Sequence, residues 1–182
     1  MREKRLVREE EHQRQRVLYV VSCGSPVAQH VPRLVTQAQD ADWQVCVITT
    51  PHGTGFLDIL SLERMTSYPV RSNYKQPDEP DILPRADALV AFPATFNTLN
   101  KWALGITDTL AVGLLCEYTG LKIPIIAVPV TGEGLRYHPA LARSVRMLRR
   151  YGIHVLYEPE IFPLQEENLV KVILDELKRH AK

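Results

Sequence analysis

No run of about 18 apolar residues occurs anywhere in this chain of 182 residues, which excludes an ordinary membrane-spanning helix. No GxGxxG follows the first apolar run and no GxxxxGKS/T occurs at all. The usual dinucleotide fingerprint and the P-loop of nucleotide triphosphatases are therefore both missing. An excess of one charge is absent too: the net charge is +1, which gives no reason to expect a nucleic acid or a membrane as partner. Cysteine is scarce. Cys23, Cys46 and Cys116 lie far apart with no CxxC or Cys/His metal spacing, and Cys46 and Cys116 read as small buried hydrophobes. Such usage fits a reducing, cytoplasmic setting. Internal repeats and low-complexity segments are lacking. The opening MREKRLVREEEHQRQR has no apolar core, so it is expected to be a charged, solvated tail (residues 1–16) rather than a secretory signal, with one domain over 17–182.

What is present is an ordinary globular mixture, 45% hydrophobic and 24% charged. Five short apolar runs are rich in β-branched residues: VLYVVS from Val17, QVCVIT from Gln44, ALVAF from Ala88, PIIAVP from Pro124 and IHVLY from Ile153. Most are nearly continuous rather than alternating, as strands covered on both faces are. Helical patterns separate them, over about Pro26–Asp42, over about Phe56–Met65, and from near Thr98. In the third, Leu99, Ala103, Ile106, Leu110 and Leu114 recur at helical steps, with Gly105 and Asp108 as a break and Asp108 as the cap of the second piece. His138-Pro139 opens a further helix, and the last runs from about Gln165, with Lys178 and Arg179 in its final turn. Strands alternating with helices predict a doubly wound α/β domain, a Rossmann-like or flavodoxin-like parallel sheet with helices on both faces. One connection stands apart, the Pro-rich and polar Ser67–Arg85.

In such a sheet ligands bind at the carboxyl ends of the strands, where strand order reverses. Three successive strand ends carry small and hydroxylated residues just before a helix: CGSPVA from Cys23, TTPHGTG from Thr49, and PATFNT from Pro93. Free amides at a helix start, together with hydroxyls, suit a phosphate, and the three loops together favour a phosphorylated, ring-bearing ligand. Taken singly each loop is a weak signal, and Ser25 alone reads equally as a helix cap.

PATFNT, and LNKWALGITDTLA after it, resemble the corresponding stretch of the homo-oligomeric flavin-containing cysteine decarboxylases. That family includes phosphopantothenoylcysteine decarboxylase and the lantibiotic peptidyl-cysteine decarboxylases. CGSPVA and TTPHGTGF are similar to its two phosphate loops, and PVTGEGLRYHP occupies the place of its substrate clamp. The resemblance implies bound FMN, with Gly24, Ser25, Thr50 and Phe56 near the phosphate and ring. Ala94, Thr95, Asn97 and Thr98 would line the flavin. It also implies a homo-oligomer, a trimer or a dodecamer built from trimers, and a peptide or small thiol as substrate. In the family, flavin oxidises a cysteine whose thioaldehyde then loses CO2 to leave an enethiol.

The chain departs from the family where substrate is handled. The family's histidine before the third strand aligns with Glu79, and no His lies from Leu57 to Arg85. Clamp Met, Asn and Trp become Thr131, Gly132 and Arg136, and EPEIFPLQ after the fifth strand has no Cys. Glu79, Asp81 or His52 are the candidate replacement bases, and Arg136 is a candidate partner for a substrate carboxylate. Arg143, Arg146 and Arg150 form a stripe that reads as a solvated or subunit-contact face. Three outcomes follow: decarboxylation of a peptide C-terminal cysteine, a flavin prenyltransferase reaction, or a non-catalytic FMN-binding subunit.

Overall fold

The computed structural model describes residues 14–76, 78–80, 82–157 and 166–181. Five strands, β1 (Arg16–Ser22), β2 (Trp43–Thr49), β3 (Ala88–Thr95), β4 (Ile125–Val130) and β5 (His154–Val155), form one sheet. Its order is β2-β1-β3-β4-β5 and every pairing is parallel. This is the flavodoxin-like arrangement, with its reversal of strand order between β1 and β3. All five strands coincide with the apolar runs of the sequence, although β5 pairs over two residues only.

Side chains leave each strand alternately to two cores. Val17, Tyr19 and Val21 of β1 face α3 (Phe96–Leu104), α4 (Leu110–Gly120) and α6 (Pro139–Arg150). Leu18 and Val20 face α1 (Val31–Asp40), α2 (Ile59–Thr66) and α7 (Glu166–His180). Burial on both faces is why the strands read as continuous hydrophobic runs. A short helix, α5 (Glu133–Arg136), which the sequence did not signal, lies between β4 and α6. Among the described residues no helix is long and apolar enough to cross a membrane.

Several boundaries shift for local reasons. The first helical stretch divides into a 3-10 turn, Pro26–His30, and α1. Phe56 ends a 3-10 turn instead of starting a helix; Asp58 caps α2 by accepting from the Ser61 amide at 3.0 Å. Asp108 is not the cap of α4. Thr109 accepts from the Val112 amide, and Asp108 pairs with Lys101 at 2.5 Å. Ile106 is consequently exposed in the connection. Cys46 is buried as expected, but Cys116 is only half-buried on α4. Arg143, Arg146 and Arg150 are exposed, consistent with a solvated face. The tail over residues 1–13 and EPEIFPLQ lie outside the described residues.

β3 does not stop at Phe92. Its partner register to β4 passes from Ala91↔Ala127 to Ala94↔Pro129, three steps on one strand against two on the other. This is a β-bulge, and it accommodates Pro93, which has no amide to give the ladder. The peptide before Pro93 is cis. The strand therefore runs through the bulge to Thr95 and delivers its end directly to the first turn of α3.

The irregular connection after α2 lies along the outer edge of β2, where Arg71 bonds Thr49 and Val47 through the backbone. Covering an edge strand in this way blocks unwanted pairing. Tyr74 anchors it further on, donating to the carbonyls of Thr107 and Thr109. A Cβ on Gly113 would come within 2.1 Å of the Tyr74 hydroxyl, so glycine in the middle of α4 makes room for that anchor. Gly113→Ala is expected to release the connection while leaving the sheet intact, read as faster proteolysis between residues 67 and 87. An unchanged cleavage rate would show that Tyr74 does not hold it. Trp102 is 2% exposed, with its indole N–H on Thr119 at 2.9 Å. Trp102→Ala should cost about 3–5 kcal/mol in urea unfolding.

Candidate active site

The ends of β1, β2 and β3 meet in one cleft of about 770 Å³. It is bordered by Gly24 and Ser25 after β1, Thr50 and His52 after β2, and Thr95, Asn97 and Thr98 after β3. Thr131, Gly132 and Leu135, from β4 onward, close another side. The cleft sits at the strand-order reversal, where the diverging connections leave a crevice. Backbone bonds hold its rim together: the Cys23 amide donates to the Pro93 carbonyl at 3.1 Å and the Thr50 amide to the Ser22 carbonyl at 3.0 Å.

Packing between the loops dictates glycine at position 24. A Cβ there would meet the His52 ring at 2.6 Å and that of Phe56 at 3.3 Å. His52 and Phe56 stand edge to face, 5.6 Å apart. Phe56 thus supports His52 from behind and does not itself border the cleft. Ala94 does not border it either. The bulge at Pro93 advances the side-chain alternation by one position, turning Ala94 into the core beside Leu99, with no exposed surface.

The hydroxyls do more than cap helices. Ser25 accepts from the Val27 amide at 3.3 Å and Thr50 from the Gly53 amide at 3.1 Å, so both cap their turns and border the cleft. Thr95 stands at the cap position of α3 but makes no side-chain cap bond. Its hydroxyl donates instead to Thr98 at 3.3 Å, which also accepts from the Cys23 thiol at 3.1 Å. The first-turn amides of α3 are left without a side-chain acceptor, the arrangement that attracts an anion. Asn97, exposed in that first turn, presents its amide at the same mouth. Thr131 has a buried hydroxyl oxygen without a partner, a further unspent polar group on the cleft wall.

Among the other candidate groups, Glu79 is exposed, accepts from the Gln76 amide at 3.0 Å and does not border the cleft. Asp81 lies outside the described residues. Arg136 is half-buried with an unpartnered Nε and lies off the cleft, although its neighbour Leu135 is on it. Among the described residues His52 is the one candidate base that borders it. Lys101 borders it as well, and the sequence held its signal: it follows Asn97 by four residues and shares its helix face. Thr109, within the stretch that resembles the family, and Val112 also reach the cleft, from the cap and first turn of the next helix.

Burial raises the Cys23 thiol pKa; its bonds to Thr98 and Thr95 only partly counter this. Burial pushes Cys46 up to about 12.

The chain matches the flavoprotein family over residues 6–178, and it belongs to that family. It is 28% identical over 103 residues to a cysteine/cysteine sulfinic acid decarboxylase of an unknown prokaryotic organism, covering 53% of this chain but only 28% of that protein. It is 25% identical over 143 residues to a probable phosphopantothenoylcysteine decarboxylase of Streptococcus mutans serotype c, covering 75% of this chain and 79% of that one. Among solved structures it resembles TvaF, an FMN-dependent cysteine decarboxylase from thioviridamide biosynthesis, at a TM-score of 0.74 and 25% identity, over 93% of this chain and 100% of that one.

Alkylation of the native protein at mildly alkaline pH should modify Cys116 first and reach Cys23 and Cys46 only on unfolding, mapped by peptide mass. Because Cys46 holds its proton longer when folded, its contribution to stability is full below the ordinary thiol value of 9.0 and is lost as pH rises toward about 12.

Proposed function

We propose that this member of the flavoprotein family binds FMN in the cleft at the ends of β1–β3 and oxidatively decarboxylates a C-terminal cysteine of a peptide or a similar thiol. The observation that carries the reading is the meeting of three hydroxyl-bearing loops around one cavity that still has unspent donors. The residues fit the cofactor. Gly24 leaves the space that a Cβ would take from His52, the α3 amides lack a side-chain acceptor, and the Thr131 hydroxyl is buried without a partner.

Ser25, Thr50 and the start of α3 would hold the phosphate, the place where helix N-termini favour negative charge. Thr95, Asn97 and Thr98 would supply hydrogen bonds to the polar edge of the ring. When bound, FMN supplies a two-electron acceptor. The substrate gives up two electrons and two protons from its Cα–Cβ–S unit and then its carboxyl group as CO2, leaving an enethiol. His52 would take a proton: it borders the cleft, whereas Glu79 is spent on its own turn. Lys101, held at the rim by Asp108, would favour the approach of a carboxylate.

A peptide is favoured over phosphopantothenoylcysteine because the stretch after the fifth strand, EPEIFPLQ, has no Cys where family members that act on pantothenoylcysteine carry a Cys-bearing flap. The homo-oligomer remains part of the proposal, supported by the exposed Leu104, Ile106 and Leu121 around α3 and α4. One observation favours a non-catalytic FMN-binding subunit as the second reading: among the described residues, no carboxylate borders the cleft.

The purified chain should carry or take up FMN at about one per chain, seen in its visible spectrum. Asn97→Ala or Thr50→Ala should weaken that binding about tenfold, the loss of roughly one hydrogen bond to a charged or strongly polar group. His52→Asn should retain FMN while slowing CO2 loss from Cys-terminal peptides. Failure to take up added FMN would remove the reading entirely. Stable FMN with no flavin reduction by any such peptide would leave the binding subunit.

A further inference from the structure

At the opposite edge of the sheet, β5 and α7 bring together three groups that the cleft does not use. Glu176 and His180 lie four residues apart on one face of α7, and His154 is the first residue of β5. His154 Nε2 is 3.0 Å from Glu176 Oε2, and His180 Nε2 is 3.3 Å from the same oxygen. The three atoms lie within 4.8 Å of one another. The imidazole rings sit side by side, 4.4 Å between centroids and 33° from parallel.

We propose that His154, Glu176 and His180 bind a divalent cation of the zinc class and thereby clamp α7 to the edge strand β5. Two imidazoles and a carboxylate are the donors such ions prefer, and ligand bonds of about 2.0 Å at tetrahedral angles separate donors by roughly 3.3 Å. The two contacts to Glu176 already have about that length. In the metal-free protein each is a hydrogen bond only where the imidazole carries its proton on Nε2; a cation at their centre would replace those protons.

The surroundings suit ligation. Arg179 donates to the other carboxylate oxygen, Glu176 Oε1, at 2.5 Å, fixing the ligand's orientation as outer partners of metal ligands do. Glu176 is largely buried, while both imidazoles are partly exposed, so a cation can enter from solvent. Burial lowers the His154 pKa and outweighs the opposing pull of Glu176, with His180, Arg149 and Arg179 acting in the same direction as burial. His154 and His180 also border a cavity of about 900 Å³, lined by Tyr151, Val155, Tyr157 and Val172. Three protein ligands leave a fourth position for water on that side. This cavity shares no residue with the cleft at the ends of β1–β3, so the cation is independent of flavin.

The clamp has a physical purpose. β5 is held to β4 by only two register pairs, and α7 ends at its last ligand, His180. A bond across the two elements fixes both against fraying.

The test uses the untagged full-length chain, stripped with a chelator and titrated with Zn2+ by calorimetry, with Tm measured with and without the metal. One saturable equivalent and a rise in Tm are expected. His154→Ala and His180→Ala should each weaken binding at least tenfold and abolish the Tm rise; Glu176→Gln should do the same while preserving side-chain volume. His180 is exposed at the end of its helix, so His180→Ala is expected to fold, with far-UV circular dichroism confirming it. Absence of a saturable equivalent in the wild type overturns the proposal. Binding that survives His154→Ala and His180→Ala also overturns it, because the metal would then sit elsewhere.

Discussion

The carboxyl end of β1 is where the molecule is tied together. The Ser22 carbonyl takes the Thr50 amide and the Cys23 amide reaches the Pro93 carbonyl, so one short strand end fixes the loops after β2 and β3. These bonds are buried between parallel strands, where an unpaired backbone group would be expensive. They hold the three loops at one height while the reversal of strand order pulls the connections to opposite faces. The cleft is the space left between them.

The side chains at this junction are small because the backbones are close. Gly24 is bounded by the His52 ring, and Ser25, Thr50, Thr95 and Thr98 bring their hydroxyls to the cleft between the loops. Each hydroxyl meets a structural need, a cap or a bridge. The start of α3 is different: its cap residue turns its hydroxyl toward Thr98 and leaves the first amides of the helix free. Local structure therefore consumes most of the polar groups, and the remainder is concentrated at one place. This remainder, not the hydroxyl content by itself, favours a phosphorylated ligand.

The two edges of the sheet are protected in different ways. At β2 the connection after α2 supplies backbone bonds through Arg71 and is anchored by Tyr74 against Gly113. At β5 the strand is minimal, and polar side chains of α7 approach it directly. Charged and titratable groups gather at the second edge because α7 crosses there with its basic final turn, near the guanidinium of Arg149, which donates to the Val155 and Tyr157 carbonyls. Chemistry at the β5 edge is thus separate from chemistry at the strand ends.

The sequence by itself determined the five strands, the two-sided sheet and the three loops, because burial on both faces writes continuous β-branched runs and loop chemistry writes glycine and hydroxyls. It also marked Asn97 and Thr98, which the resemblance tied to flavin. Only the tertiary structure decided which groups face the cleft. Ala94 left it because a bulge shifted the alternation by one residue, and Glu79 proved occupied by its own turn. Thr109, Val112 and Leu135 joined it from elements distant in the chain, and His154 met Glu176 and His180 only through the crossing of α7 over β5. Periodicity records whether a side chain is buried; it holds no information about which distant neighbour buries it, and that is fixed when the helices settle on the sheet.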